Sequence, residues 1–114
     1  MTDAEKAAIA EHLATKVCGY ERMGSCYYKD HKLIDAVTAF EPLTDADDTA
    51  LVMEAWRKKG NGLSIDMDAY AQVRPWTVMT NHGDTEGACS DAHETMAEAV
   101  CVAIYRSSRE GARS

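Results

Sequence analysis

Cysteine, histidine and closely spaced acids are the residues of this chain that could do chemistry. Cys18 and Cys26 lie within the stretch VCGYERMGSCYYKD, from Val17 to Asp30, while Cys89 and His93 are four residues apart. A zinc site needs four ligands, ordinarily supplied as close pairs because two neighbours on one turn preorganise half of the tetrahedron. No CxxC or HxxxH pair occurs, so a Cys/His cluster would have to be assembled entirely by the fold. A metal ion is not expected, and neither is any other cofactor.

A nucleophilic cysteine needs a nearby base and an exposed cleft. Cys101 falls on an apolar helical stripe and Cys18 near a helix end, where free cysteines behave as small hydrophobes. Cys26 and Cys89 could meet His31, His82 or His93 only through the fold. Paired carboxylates occur as Asp45, Asp47 and Asp48 and as Asp66 and Asp68. General acid or base work requires one of a pair to be raised in pKa by burial; a helix start and the wet face of a strand favour ordinary ionised groups. The glycines are scattered in turns and form neither GxGxxG nor GxxxxGK[ST]. No catalytic residue is therefore singled out, and an enzyme is not expected.

The 114 residues suit one domain, with 46% hydrophobic and 27% charged residues. A chain of this length buries roughly two-thirds of its unfolded surface, enough for a core without staples. Twelve Lys and Arg against nineteen Asp and Glu leave a net charge of -7. Nucleic-acid binding needs clustered cations that displace counterions, so direct DNA or RNA binding is not expected. Residues 30 to 54 carry seven acids and one lysine, and residues 84 to 98 five acids and no base. No apolar run approaches the roughly 20 residues that cross a bilayer, and MTDAEKAAIAEH does not read as a targeting segment. A cytoplasmic protein with free thiols and no membrane contact is expected.

The elements that must position these residues follow from periodicity and punctuation. Thr2 with Glu5 forms a capping-box spacing that opens a helix over about residues 3 to 18, striped by Ala7, Ala10, Leu13 or Ala14, and Val17, and closed by Gly19. Tyr20 to Asp30 predicts a hairpin turning at Gly24-Ser25. KDHKLIDAVTAFEPL reads as loop with at most a short strand near Leu33. Thr44 begins a second helix, with acids in its first turn and Arg57, Lys58 and Lys59 in its last, an arrangement that suits the helix dipole. LSIDMDAY alternates Leu63, Ile65 and Met67 against Ser64, Asp66 and Asp68, the period of a strand with one wet face. Trp76 to Asn81, HGDTEG and Ala88 to His93 predict a second hairpin. Thr95 and Glu98 form another capping box, opening a last helix to near Ser107 with Met96, Val100, Cys101 and Ile104 on one face. The expectation is an α+β fold, an α-β-α sandwich of order α-β-β-α-β-β-β-α. An antiparallel sheet of about four or five strands is covered by three helices, in one domain over 1–107 with a polar tail over 108–114.

VCGY ending a helix, then YYKD, FEPLTDADDTALVMEAWRKKG, a strand at Trp76 and AEAVCVAIYR in the last helix resemble the phage ABA-sandwich domain family over nearly the whole chain. That family's first motif usually reads like VMGW, against which Cys18 and Tyr20 are substitutions. The resemblance implies an α-β-α layered fold and a phage or prophage source, and no particular activity. With the acidic balance it suggests a small accessory protein in the host cytoplasm that binds a host or phage protein. Anti-defence inhibition of the anti-CRISPR type is its most concrete form, since an acidic face can occupy a basic channel. The candidate binding residues are Asp45, Asp47, Asp48, Asp66, Asp68 and Tyr28. Adjacent Tyr27 and Tyr28 point to opposite faces of a strand, leaving one for the core and one half-exposed. A homodimer stays open, and the alternative is a small-molecule- or metal-binding module with a pocket between sheet and helix, in which enzymatic activity would be conceivable.

Overall fold

The computed structural model describes residues 2–70, 72–82, 85–89 and 92–111, with the side chains at 82, 85–89, 110 and 111 outside the description. Among the described residues the chain is α+β, with three helices and two three-stranded antiparallel sheets. Helix α1 spans Asp3–His12 and runs on into a π-helical turn, Leu13–Val17. Strands β1 (Glu21–Met23), β2 (Cys26–Lys29) and β3 (Lys32–Ala36) form the first sheet. Helix α2 is Ala46–Lys58. Strands β4 (Asn61–Met67), β5 (Trp76–His82) and β6 (Thr85–Cys89) form the second sheet, and α3 is Met96–Gly111. The single sheet expected from the sequence is thus two, and the order gains β3.

The helix boundaries follow from local hydrogen bonding. Thr2 Oγ1 accepts from the Glu5 amide at 3.1 Å, and Thr95 Oγ1 from the Glu98 amide at 3.2 Å, so both capping positions are filled. At α2 the cap is Asp45, one residue later than expected, its side chain accepting from the Asp47 amide at 2.9 Å. Thr15 Oγ1 bonds back to the Glu11 carbonyl at 2.8 Å. Over the same turn the backbone bonds reach further along the chain at ordinary length, Cys18 N–H donating to Leu13 O and Tyr20 N–H to Ala14 O, both at 2.9 Å. Gly19, at φ 75°, takes the left-handed conformation that ends the element, as its position suggested. The stripe of α1 differs from expectation: Ala7 is exposed and Ile9 is the first buried residue, because the opening turns extend beyond the core. Helix α3 continues four residues past Ser107, to Gly111.

Turn chemistry explains the first sheet. Met23 pairs with Cys26 across Gly24-Ser25, and only Gly24 of the two has positive φ, the pattern of a II′ hairpin. Lys29 pairs with Lys32 across Asp30 and His31, both of positive φ, the pattern of a type I′ hairpin. That second turn makes β3 a full strand where only a short one near Leu33 was expected.

One core joins the two sheets. Helix α3 is buried from Ala99 through Ile104 and packs on all three strands of the second sheet, on α2, on α1 and on the π turn. Tyr20, Tyr27 and Phe40 meet at centroid separations of 5.8 to 6.2 Å, two of the three contacts edge-on, and bind the first sheet to this core. Lys29 Nζ donates to the Cys18 carbonyl at 3.1 Å, placing a cation at the carboxyl end of the first helix.

The positive φ of His31 yields a prediction. A non-glycine residue there costs roughly 1–2 kcal/mol of backbone strain, partly offset by the chain entropy that glycine adds to the unfolded state. His31→Gly should therefore stabilise the protein by about 0.5 kcal/mol, read as a higher urea midpoint; a lower midpoint would mean that the imidazole makes a stabilising contact.

Candidate protein-binding surface

The acids singled out from the sequence divide between two places. Asp45, Asp47 and Asp48 gather at the start of α2, where Asp35, from β3, also acts on Asp48. Asp66 lies on β4 and Asp68 just beyond it, on the other sheet. Asp45 and Asp47 are exposed, as expected of helix-start carboxylates. Asp48 departs from that expectation, being buried with Oδ2 accepting from the Glu41 amide at 2.9 Å. Burial raises its pKa; the Glu41 amide opposes the shift, while Asp45, Asp35 and Asp47 add to it. Asp48 therefore ties the 41–44 turn to α2 and is removed from the solvent-facing acids. Tyr28 is half-buried on β2 while Tyr27 is in the core.

The second hairpin departs furthest from its pattern. Cross-strand pairing sets Leu63 opposite Thr80, Ile65 opposite Val78 and Met67 opposite Trp76, so these share one face of the sheet. Val78 and Thr80 are fully buried on that face, yet Ile65 is 40% exposed and Met67 56%. The connection to β5 adds Tyr70 at 95% and Val73 at 65%. The period of two placed Ile65 and Met67 in the core; the structure places them on a hairpin end that overhangs it. Helix α2 supports only the start of β4, where Trp56 Nε1 donates to the Gly62 carbonyl at 3.1 Å. Asn61, Gly62 and Leu63 are half-buried there, and Ser64 through Met67 are exposed. Asp68 accepts from the Tyr70 amide at 2.9 Å, and its own amide donates to Pro75 O at 2.8 Å, which closes the hairpin end. Isolated exposed hydrophobics are ordinary, whereas several gathered at one place mark an interaction site. Pattern alone could not find this surface, because alternation reports the two faces of a strand and not how far its neighbours extend.

A polar cleft of about 500 Å³ lies between α1 and α3, lined by Glu5, Lys6, Arg74, His93, Glu94, Glu98 and Arg106 among others. His93 Nδ1 and Glu98 Oε1 are 2.7 Å apart; since a carboxylate only accepts, the ring carries its proton on Nδ1. His93 Nε2 is buried without a hydrogen-bond partner among the described residues. His93 also pairs with Trp76 as a backbone bridge, which fixes the ring beside the second sheet.

The thiols are placed as packing groups. Cys18 is buried and its pKa is pushed up to about 11, chiefly by burial. Burial likewise raises Cys101, whose Sγ donates to the Pro42 carbonyl at 3.1 Å. Cys26 is half-buried, and the three described cysteines are free. The side chains of Cys89 and His82 lie outside the described residues, and His31 stands exposed in its turn. Among the described residues no three His, Cys, Asp or Glu side chains converge as a metal site would require, and no helix is long and apolar enough to cross a membrane.

In its overall fold the chain is similar to a phage protein from Bacillus cereus ATCC 14579 of known crystal structure. The two overlay with a TM-score of 0.68 at 16% sequence identity, covering 94% of this chain and 96% of the other. No family model matches the sequence, and no curated protein matches it.

Two predictions follow from the buried groups. Asp48→Ala should cost about 1–2 kcal/mol by leaving the Glu41 amide without its acceptor, while Asp48→Asn should stay near the parent at neutral pH. Because the folded pKa of Asp48 is raised, its contribution is fully present below the ordinary value of 3.8 and is lost as pH rises through the folded pKa. The stability of the parent relative to Asp48→Asn should thus be greatest in acid, as measured by urea denaturation across pH. At pH 8 a soluble alkylating reagent should modify Cys26 well before Cys18 or Cys101, with mass spectrometry of peptides reporting the order; early modification of Cys101 would contradict its burial.

Proposed function

We propose that this chain is a small phage or prophage accessory protein that acts by binding another protein, through the overhanging end of the β4–β5 hairpin. The observation that carries this reading is the gathering of exposed Ile65, Met67, Tyr70 and Val73 between and beyond Asp66 and Asp68. An apolar centre bordered by charge is the anatomy of a protein interface, and tyrosine and methionine are enriched there. The phage source rests on the motifs from VCGY to AEAVCVAIYR and on the fold shared with the Bacillus cereus phage protein. Membership of the phage ABA-sandwich family, with α-β-α layers, belongs to the same proposal. The partner is a host or phage protein in the host cytoplasm, and anti-defence inhibition is the most specific form of the role. An acidic surface for it would use Asp45, Asp47, Asp66 and Asp68, with Asp48 withdrawn and Tyr28 secondary.

The test is capture of partners from infected or lysogenic cells by the parent and by Met67→Lys/Tyr70→Ser, whose exposed positions leave the core untouched. A specific partner should be retained by the parent and lost at least tenfold by the variant. Equal capture by both would place the interface elsewhere.

A second reading, a small-molecule module without assigned chemistry, is favoured by the cleft between α1 and α3 and the unpartnered His93 Nε2 at its lining. Native mass spectrometry of the purified protein, showing a stoichiometric adduct lost in His93→Phe, would support it over the first.

A further inference from the structure

The four sheet edges of this fold are not alike. Strand β1 is three residues long. Strand β3 carries Lys32 and Asp35, and its ladder with β2 shifts register between Tyr27 and Tyr28. The ladder of β6 with β5 shifts between Met79 and Asn81. Short length, charge and irregularity are the ordinary means by which an edge is kept from pairing with another chain. Strand β4 is neither short nor irregular, and its one charge is a single acid, Asp66. It pairs with β5 over seven consecutive residues without a shift, contains no proline or lysine, and lies at the end of the order β4-β5-β6. Its first residues are covered by α2 through Trp56 and Gly62, and from Ser64 onward the edge is exposed. Beside the covered part lies an apolar groove of about 360 Å³, lined among others by Ala50, Met53, Trp56 and Leu63.

We infer that the partner is taken as an added strand along β4, and that the segment so taken is extended and alternates basic with apolar residues. The inference rests on the protein-binding reading above and specifies its partner. An added strand places its side chains beside those of β4 with the same period of two, so pairing is read residue by residue. Beside Ile65 and Met67 it must offer apolar side chains, and beside Asp66 and Asp68 basic ones. Asp66 is the only charged residue of β4, so the edge is acidic and not merely polar. A second copy of this chain fits poorly by the same argument. Antiparallel self-pairing centred on the exposed run sets Asp66 against Asp66 or Asp68 of the other copy, and directly opposed like charges are destabilising.

The probe is the capped peptide Lys-Val-Lys-Val-Lys-Val, followed by amide NMR and hydrogen exchange on the full chain. Binding should shift the amides of Ser64 through Met67 and slow the exchange of some of them. The peptide Glu-Val-Glu-Val-Glu-Val should not bind. A version of the basic peptide N-methylated at alternate residues, which removes one edge of hydrogen-bond donors, should bind at least tenfold more weakly. Failure of the basic peptide to bind, equal binding of the methylated peptide, or shifts confined to other strands would each overturn strand addition. None of these outcomes touches the broader reading, which falls only if Met67→Lys/Tyr70→Ser still captures the natural partner.

Discussion

A helical stretch that is apolar on every side has to be enclosed, and the middle of α3, Ala99 through Ile104, is such a stretch. Every residue from Ala99 through Ile104 is buried, whereas an ordinary surface helix buries one stripe and wets the rest. The fold answers that constraint with the second sheet beneath α3 and with α2, α1 and the π turn packed around it. The first sheet then attaches through aromatic rings, Tyr20 and Tyr27 against Phe40. What remains outside this enclosure is what the protein can present to others, and the far half of the β4–β5 hairpin is one such piece.

The enclosure explains which parts of the fold could be read in advance. Signals that act within a few residues were legible: Thr2 and Thr95 as caps, Gly19 as a stop, Gly24-Ser25 as a turn. Each depends on backbone hydrogen bonds or φ values that the local residues set by themselves. Asp30-His31 was harder, because a I′ turn is usually announced by Asn-Gly or Asp-Gly and the left-handed His31 gives no such notice. With the turn hidden, the β3 segment read as loop with at most a short strand near Leu33.

The candidate surface was legible only in part, and for a different reason. Asp66 and Asp68 stand where a wet strand face puts them, and Tyr28 is the half-exposed member of its pair. Ile65 and Met67 keep the core-side orientation that alternation assigns, yet the residues that would cover them belong to other elements and stop short. Asp48 errs in the opposite direction. Asp45 and Asp47 before it are solvated, whereas Asp48 is buried with its carboxylate against the returning Glu41 amide. Exposure is a property of the assembled layers, whereas orientation belongs to the strand or helix itself.

The π turn between Leu13 and Val17 holds one residue more than an α-helical path would need. Each helical residue rotates the chain by about 100°, so that extra residue sets the direction in which Gly19 launches the first hairpin. Lys16, within it, is exposed and adds nothing to the core. The extra residue is accommodated within the π turn, where Leu13, Ala14 and Val17 stay buried. Because the same turn packs on α3, the direction of the first hairpin and the closure of the core around α3 are set by one five-residue segment.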